Sequence, residues 1–219
     1  IMAGMSPDAP VPFIDPRTIV LFSGVMGGLM AIVLTFLRRS YPPTVQGLTD
    51  WAFGTYLLFF GGLAAASRGK SPELVSITLA NLLIFSGMFY QFVGSQRFFG
   101  RRPRPLAGML VIGALALVSG YFTVIDPSYR PRLMIYVGVI TTLSVIHAHL
   151  IYRHGTRTFA HWFAFVVLML AIASQVLRFT TAWLYPLGTG ILDNTPQNLI
   201  DMIAHPFVML LFAISLLLV

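Results

Sequence analysis

Long apolar stretches separated by short polar gaps dominate the chain. Seven of these stretches come close to the roughly 20 residues that a helix needs to cross the hydrocarbon core of a bilayer. Proline or glycine marks most of the gaps, and no stretch has a charge at its centre. The pattern predicts an all-α polytopic membrane protein with seven transmembrane helices. The predicted spans are Thr18–Leu37, Trp51–Ser67, Leu74–Ser95, Leu106–Ile125, Leu133–Tyr152, Thr158–Tyr185 and Asn198–Val219.

Composition leads to the same class of protein. Of the 219 residues, 57% are hydrophobic and only 10% are charged, so membrane lipids rather than water must surround most of the chain. The net charge of +7 comes from bases at the ends of the apolar stretches. Membrane topology explains such bases, and we expect no nucleic-acid partner. The absence of cysteine excludes disulfides, thiol catalysis and metal sites with cysteine ligands.

Basic residues are concentrated in every second gap between the apolar stretches. Asp50 is the one acid that accompanies them there, whereas the other gaps and helix ends carry equal numbers of bases and acids. Lys and Arg in short loops stay on the cytoplasmic side of a membrane. The alternation therefore predicts an N-terminus outside and a cytoplasmic C-terminus. The bases of this series are Arg38, Arg39, Arg97, Arg101, Arg102, Arg104, Arg153 and Arg157.

The predicted organisation is a short tail followed by one membrane domain. Residues 1–15 are expected to be a polar tail and not a cleaved signal peptide, because they lack a basic segment followed by an apolar core. The predicted outside N-terminus makes this tail periplasmic. Residues 16–219 make up the seven-helix transmembrane domain. The last span stays apolar up to Val219, and from this we expect a cytoplasmic output domain after residue 219.

Five short segments have a distinctive order and spacing. Asp15–Arg17 opens the first span and Ala64–Gly69 closes the second. Ser76–Leu83 lies in the third span, Gln96–Arg102 follows on its inner side, and Tyr121–Pro127 ends the fourth. In this arrangement the segments resemble the seven-helix N-terminal membrane region of many bacterial diguanylate cyclases. The resemblance covers nearly the whole chain, but its motifs are structural and none is catalytic.

The resemblance implies a function for a longer protein. In that family a cytoplasmic GGDEF domain follows the last helix and makes cyclic di-GMP from two molecules of GTP. The implied role is a sensor and signal-transducing region in a bacterial inner membrane, in a homodimer because the family acts through two facing domains. The GGDEF motif is absent from these residues, and related membrane regions also precede other output modules, including histidine kinases.

Polar residues in the outer halves of three predicted spans form the candidate ligand-binding group. Such side chains are costly in lipid, so they face a bundle interior or a cavity. Gln175 and Arg178 share one helix face, as do Asp201 and His205. With Asn81 they predict an outward-opening pocket for a small polar or anionic ligand, anchored by Arg178. The alternative, which is the commoner use of such residues, is an Arg178–Asp201 ion pair that only holds helices together.

Pro206 directly follows His205 inside the seventh span. Proline removes a backbone donor and kinks or loosens a helix, so Pro206 is the predicted hinge. A stimulus in the outer half would change the packing of the sixth and seventh spans. The seventh span would then carry that change to the output domain.

Three histidines near the inner helix ends are weaker candidates, for a haem or a metal ion. His147 and His149 are two residues apart and point to different helix faces, so a site would need His161 with one of them. The simpler interpretation places these histidines at the level of the lipid headgroups, partly solvated beside Arg153. The sequence requires no cofactor.

Close helix packing is predicted in the first span, where Gly24 and Gly28 form a GxxxG spacing. We expect this spacing to be used inside the bundle rather than between protomers. No Ser-His-Asp set, carboxylate pair or HExxH motif supports catalysis by these residues. Two alternatives to a sensor stay open, namely an accessory integral-membrane subunit of a larger complex and a haem- or metal-binding membrane protein.

Overall fold

The computed structural model describes residues 16–184 together with Leu211, Ile214 and Ser215. Throughout this part of the chain the regular structure is helical, and the one β contact is an isolated bridge between Arg68 and Ser71. The all-α prediction is confirmed. The helices are α1 (Pro16–Ser40), α2 (Leu48–Ala66), α3 (Ala80–Phe98, preceded by a π-helical segment Leu74–Leu79), α4 (Pro105–Val124), α5 (Tyr129–His154) and α6 (Phe159–Leu184).

The first six predicted spans each coincide with one of these helices, to within a few residues at most of the ends. The seventh span lies mostly outside the described residues. Its described members, Leu211, Ile214 and Ser215, are helical, and Ser215 is fully buried. Among the described residues, four helices are long and apolar enough to cross a membrane. These are Leu74–Phe98, Pro105–Val124, Tyr129–His154 and Phe159–Leu184.

The outward surface of the helices is apolar. Leu106, Leu117 and Phe159 expose 73%, 77% and 76% of their surface. Soluble monomers rarely leave contiguous apolar patches of this kind in water. Helix α4 shows the pattern most clearly, because its buried residues are limited to Ile112, Ala116, Ser119 and Thr123. Lipid is the solvent that this surface fits, so the chain is a multi-pass helical membrane protein.

Successive helices run in opposite directions, so the connecting loops alternate between two ends of the bundle. One end, which we call the arginine-rich end, joins Arg97 to Asp50 by an ion pair and brings Arg101 close to Arg153. The other, which we call the opposite end, carries the loop with Arg68 and the start of α5. The predicted segregation of bases is therefore confirmed within the described helices, while the compartment that each end faces stays a prediction of the charge rule.

Helices α2 and α3 are antiparallel and approach so closely that their backbones touch. A Cβ atom added to Gly54 would lie 2.6 Å from the carbonyl oxygen of Gly87, and one added to Gly87 would lie 2.7 Å from that of Gly54. Small residues recur every seven positions on both helices and keep this contact free of side chains. The two rows are Gly47, Gly54 and Gly61 on the α2 side and Ala80, Gly87 and Gly94 on α3.

At one end of the α2–α3 contact, the backbone conformation and the close approach of α3 both require glycine. Gly47, just before α2, has a φ of 95°, a backbone conformation that favours glycine, and a Cβ atom there would also collide with the carbonyl oxygen of Gly94.

On its other side α2 meets α1, where a Cβ on Gly28 would lie 3.1 Å from the Phe59 ring and one on Gly24 would lie 3.8 Å from Leu63. The GxxxG spacing is used inside the bundle, as predicted.

Two larger apolar clusters and a smaller one complete the packing. The first joins α1, α2, α5 and α6 through residues such as Leu34, Trp51 and Val167, and Leu211 of the seventh span packs against it. The second joins α3, α4 and α5 around Phe85 and Ile140, both fully buried. Helices α2, α3 and α5 thus lie at the centre, while α4 lies at the periphery.

We expect Gly87→Ala to destabilise the protein, because its new methyl group would lie 2.8 Å from Leu58 as well as against the Gly54 carbonyl. Overpacking of this kind costs about 1–3 kcal/mol. Gly138→Ala on α5 is the matched control, since nothing lies within 4 Å of its Cβ position, and replacing a helical glycine by alanine there stabilises by about 0.5–1 kcal/mol. Thermal unfolding in detergent measures both, and equal shifts in the two variants would contradict the α2–α3 contact.

Candidate functional site

Arg178 and Gln175 lie on the buried side of α6. Only 7% of Arg178 and 1% of Gln175 is exposed, and both belong to a buried stripe that also includes Ala171 and Ala182. The prediction that they share a face turned into the bundle is confirmed. Arg178 lies six residues before the end of the helix at Leu184, which places it about 9 Å below that end.

A guanidinium in this position carries a large desolvation cost unless other groups surround it. This makes Arg178 the foremost candidate for function among the described residues of α6. Its predicted companions Asp201 and His205, and the predicted hinge Pro206, lie outside the described residues. The Arg178–Asp201 pair therefore stays a prediction.

Asn81 is connected to α4. Its side-chain amide donates a hydrogen bond of 3.3 Å to the hydroxyl of Ser119, which is fully buried. The residue is the second of α3, close after the π-helical segment Leu74–Leu79. Such segments are frequent at functional sites. Asn81 thus fixes α4 against α3 near the opposite end.

Arg130 ties the start of α5 to the end of α6, a contact that the sequence analysis missed. Its Nη2 donates to the carbonyl oxygens of Trp183, at 2.6 Å, and Ala182, at 3.2 Å. The guanidinium also lies 5.7 Å from the centre of the Trp183 ring. The last carbonyls of a helix lack partners within the helix and carry partial negative charge, so Arg130 caps α6.

Further basic groups gather at the opposite end. Nε and Nη1 of Arg132 and the hydroxyl of Tyr129 are buried and make no hydrogen bond among the described residues. Burial and, secondly, the positive charge of Arg132 lower the pKa of Arg68, while Tyr129 and Glu73 raise it to a smaller extent. Buried donors without protein partners are usually met by water, an ion or a ligand. This end of the bundle is therefore suited to an anion.

At the arginine-rich end, Asp50 and Arg97 join α2 to α3. Nη1 of Arg97 lies 2.7 Å from both carboxylate oxygens of Asp50, and the carboxylate side chain is 9% exposed while the arginine is 40% exposed. Asp50 lies in the first turn of α2, where the helix dipole favours a negative charge. The ion pair thus joins α2 to α3 at the same end as the contact of Gly47 with Gly94.

A buried hydrogen-bond network connects α2, α3 and α5 just above this ion pair. The indole nitrogen of Trp51 donates to the carbonyl oxygen of Gln91 at 3.1 Å and to the hydroxyl of Ser95 at 3.2 Å. Nε2 of His147 lies 2.7 Å from the same hydroxyl. All four residues are at least 95% buried, so the network fixes three helices in one register.

The histidines do not form a common site of three ligands. His147 is buried in that network, so the prediction of a partly solvated position at the headgroups is wrong for this residue; Ser95 accounts for its burial. His149 is exposed, which confirms that it points away from His147. Nδ1 of His161 lies 2.7 Å from the Thr158 hydroxyl. Within the described residues, no group of three or more His, Cys, Asp or Glu could hold a metal ion.

The fold and these sites define a helical, multi-pass membrane protein with a basic, polar interior toward one end. Comparisons with protein-family models, with curated proteins and with solved structures each found no match to the chain. Its function must therefore be inferred from its own residues.

Ser95→Ala should destabilise the bundle by about 1–3 kcal/mol, because Trp51 and His147 would lose a buried hydrogen-bonding partner. Thr142→Ala is the control, since that residue is exposed and its hydroxyl bonds the Gly138 carbonyl of its own helix. Thermal unfolding in detergent compares the two. A loss no larger for Ser95→Ala than for Thr142→Ala would show that the network does not stabilise the fold.

Proposed function

We propose that this chain is the membrane sensor and signal-transducing region of a bacterial inner-membrane protein whose cytoplasmic output domain is a diguanylate cyclase. The observation that carries the sensor role is the burial of Arg178 with Gln175 on the inward face of a helix apolar enough to span the membrane. Ionisable residues in such positions mark functional sites by default. The cyclase assignment rests on the resemblance of the sequence segments.

The proposal includes seven spans, with the arginine-rich end in the cytoplasm. Helix α2 supports its assignment as a span, because it packs along α3 through small residues at three positions spaced seven apart. Helix α1 is 25 residues long and packs on α2, so both can cross beside α3. Asp50, the one acid of the arginine-rich series, is paired with Arg97. The other bases of the series therefore keep the positive charge bias of that end.

A small polar or anionic ligand is the proposed stimulus. Arg178 supplies a buried cation, and Arg132 adds two buried donors that no described residue satisfies. Arg68 adds a further cation near Arg132. A planar guanidinium with free donors binds carboxylate or phosphate groups through paired hydrogen bonds. These groups lie toward the same end of the bundle, the end proposed to face the periplasm.

Transduction is assigned to the seam between α5 and α6. Near the opposite end this seam is small, with Leu133 and Val137 packed around Ala182, and Arg130 caps α6 from across it. A signalling element needs two packings within a few kcal/mol, each preferred by a different input. A ligand on Arg178 would shift that balance, and the seventh span, with Pro206 as hinge, would pass the change to the output domains of a homodimer.

Arg178→Ala in the full-length protein tests the proposal. Cyclic di-GMP should change about fivefold or more, because coupling between a ligand site and an output domain is typically worth about 1–3 kcal/mol. Thr180→Ala is the control, since Thr180 is exposed on the same helix and its hydroxyl bonds the Val176 carbonyl of that helix. Cellular cyclic di-GMP is measured at equal amounts of membrane-inserted protein.

A charge swap separates a ligand anchor from a structural ion pair. If Arg178 and Asp201 only hold helices together, the double variant Arg178→Asp with Asp201→Arg should restore both stability and output. If Arg178 holds an anion, the swap leaves output altered. Unchanged output in Arg178→Ala would refute the sensor site, and no cyclic di-GMP above background from the unaltered protein would favour the accessory-subunit alternative.

A further inference from the structure

A groove of about 480 Å³ opens between the ends of α3 and α5 at the arginine-rich end. Its wall is apolar and includes Phe92 of α3 with Val145, Ile146 and Leu150 of α5. Val145 and Ile146 expose 46% and 39% of their surface on the outside of the bundle. The wall therefore faces the hydrocarbon of the membrane rather than the bundle interior.

The rim of the groove is basic. Arg101 approaches it from the α3 side, and His149, Arg153 and His154 approach it from the last turns of α5. Gln96 adds an amide. None of the lining residues is an acid, so no carboxylate of the lining neutralises the positive charge of Arg101 and Arg153.

The local fold explains why Arg101 reaches this place. Helix α3 ends in a Schellman motif, in which the amide of Gly100 bonds the Arg97 carbonyl at 2.9 Å and the amide of Arg101 bonds the Gln96 carbonyl at 2.8 Å. Gly100 has a φ of 70°, in the left-handed region that the motif requires. The turn reverses the chain and directs it back across the end of α3. His149 and Arg153 are four residues apart, so they lie on one face of α5.

We propose that this groove binds one anionic phospholipid, with its phosphate between Arg101 and Arg153 and an acyl chain along Phe92, Val145 and Ile146. Basic pockets between transmembrane helices at the membrane surface suit acidic lipid headgroups. The apolar wall distinguishes a lipid from free phosphate, because a dissolved anion would make no use of it. The inference does not depend on the proposed sensor function.

A second cavity at the same end shows the contrast. It measures about 500 Å³ and lies between the α1–α2 and α3–α4 loops, with Thr44, Gln46, Arg97 and Arg102 in its lining. Arg97 is already engaged with Asp50. The cavity is polar and lies among the loops, so it lacks the apolar wall that an acyl chain needs. We assign the lipid to the first groove alone.

Lipid titration of the purified full chain in detergent tests the proposal. Thermal unfolding is followed with added phosphatidylglycerol, phosphatidylcholine or inorganic phosphate, and of the three only phosphatidylglycerol should give a stabilisation that depends on Arg101 and Arg153. The double variant Arg101→Gln with Arg153→Gln should bind it roughly 25-fold more weakly, since each base near an anionic lipid contributes a factor of about five. Arg38→Gln with Arg157→Gln is the control of equal charge, because both residues are exposed at the same end and neither lines the groove.

Equal weakening in the two double variants would overturn the site. Stabilisation by phosphate that is lost in the Arg101→Gln, Arg153→Gln variant would assign these cations to a free anion instead of a lipid. A second measurement needs no substitution, so it does not depend on the variants folding. Photoactivatable phosphatidylglycerol and phosphatidylcholine are cross-linked to the unaltered protein in mixed vesicles. The ratio of their labels should be higher at Val145–Leu150 than on the lipid-facing side of α4, and equal ratios would exclude a preference for the anionic lipid.

Discussion

The constraint on which this structure depends is that its exterior is as apolar as lipid. Burying more apolar surface between helices gains little in such a solvent, so association must come from close packing and interhelical hydrogen bonds. The α2–α3 contact supplies the first, because glycine at Gly54, Gly87 and Gly94 lets two backbones meet. The Trp51, Ser95 and His147 network supplies the second and adds α5.

This division sets α2, α3 and α5 apart from the other described helices. They are held by a backbone contact that runs along α2 and α3, and by an ion pair and a buried network toward the arginine-rich end. Among the described helices α6 packs chiefly on α5, and toward the opposite end their described contacts include a small apolar cluster and the cap from Arg130. Helix α6 also carries Arg178, so a rearrangement at the α5–α6 seam would move that residue.

Much of the fold could be predicted from the sequence because helix length and apolarity are local properties. The six described helices and the shared inward face of Gln175 and Arg178 follow from that local information. The contacts between helices do not. The spacing of seven from Gly47 to Gly54 was visible in the sequence, but its match to Gly87 and Gly94 becomes meaningful only once α2 and α3 are known to be neighbours. The burial of His147 depends in the same way on Ser95, 52 positions away.

Sided labelling of single cysteines tests most directly the claim that these helices cross a bilayer with the arginine-rich end in the cytoplasm. The chain contains no cysteine, so each introduced thiol reports alone. The exposed positions Glu73 and Asp126 lie at the opposite end, and Thr44 and Thr156 lie at the arginine-rich end. Glu73→Cys and Asp126→Cys should react with an impermeant maleimide in intact spheroplasts, and Thr44→Cys and Thr156→Cys only after the membrane is opened. Labelling of both ends from one side, or the reverse pattern, would contradict this account.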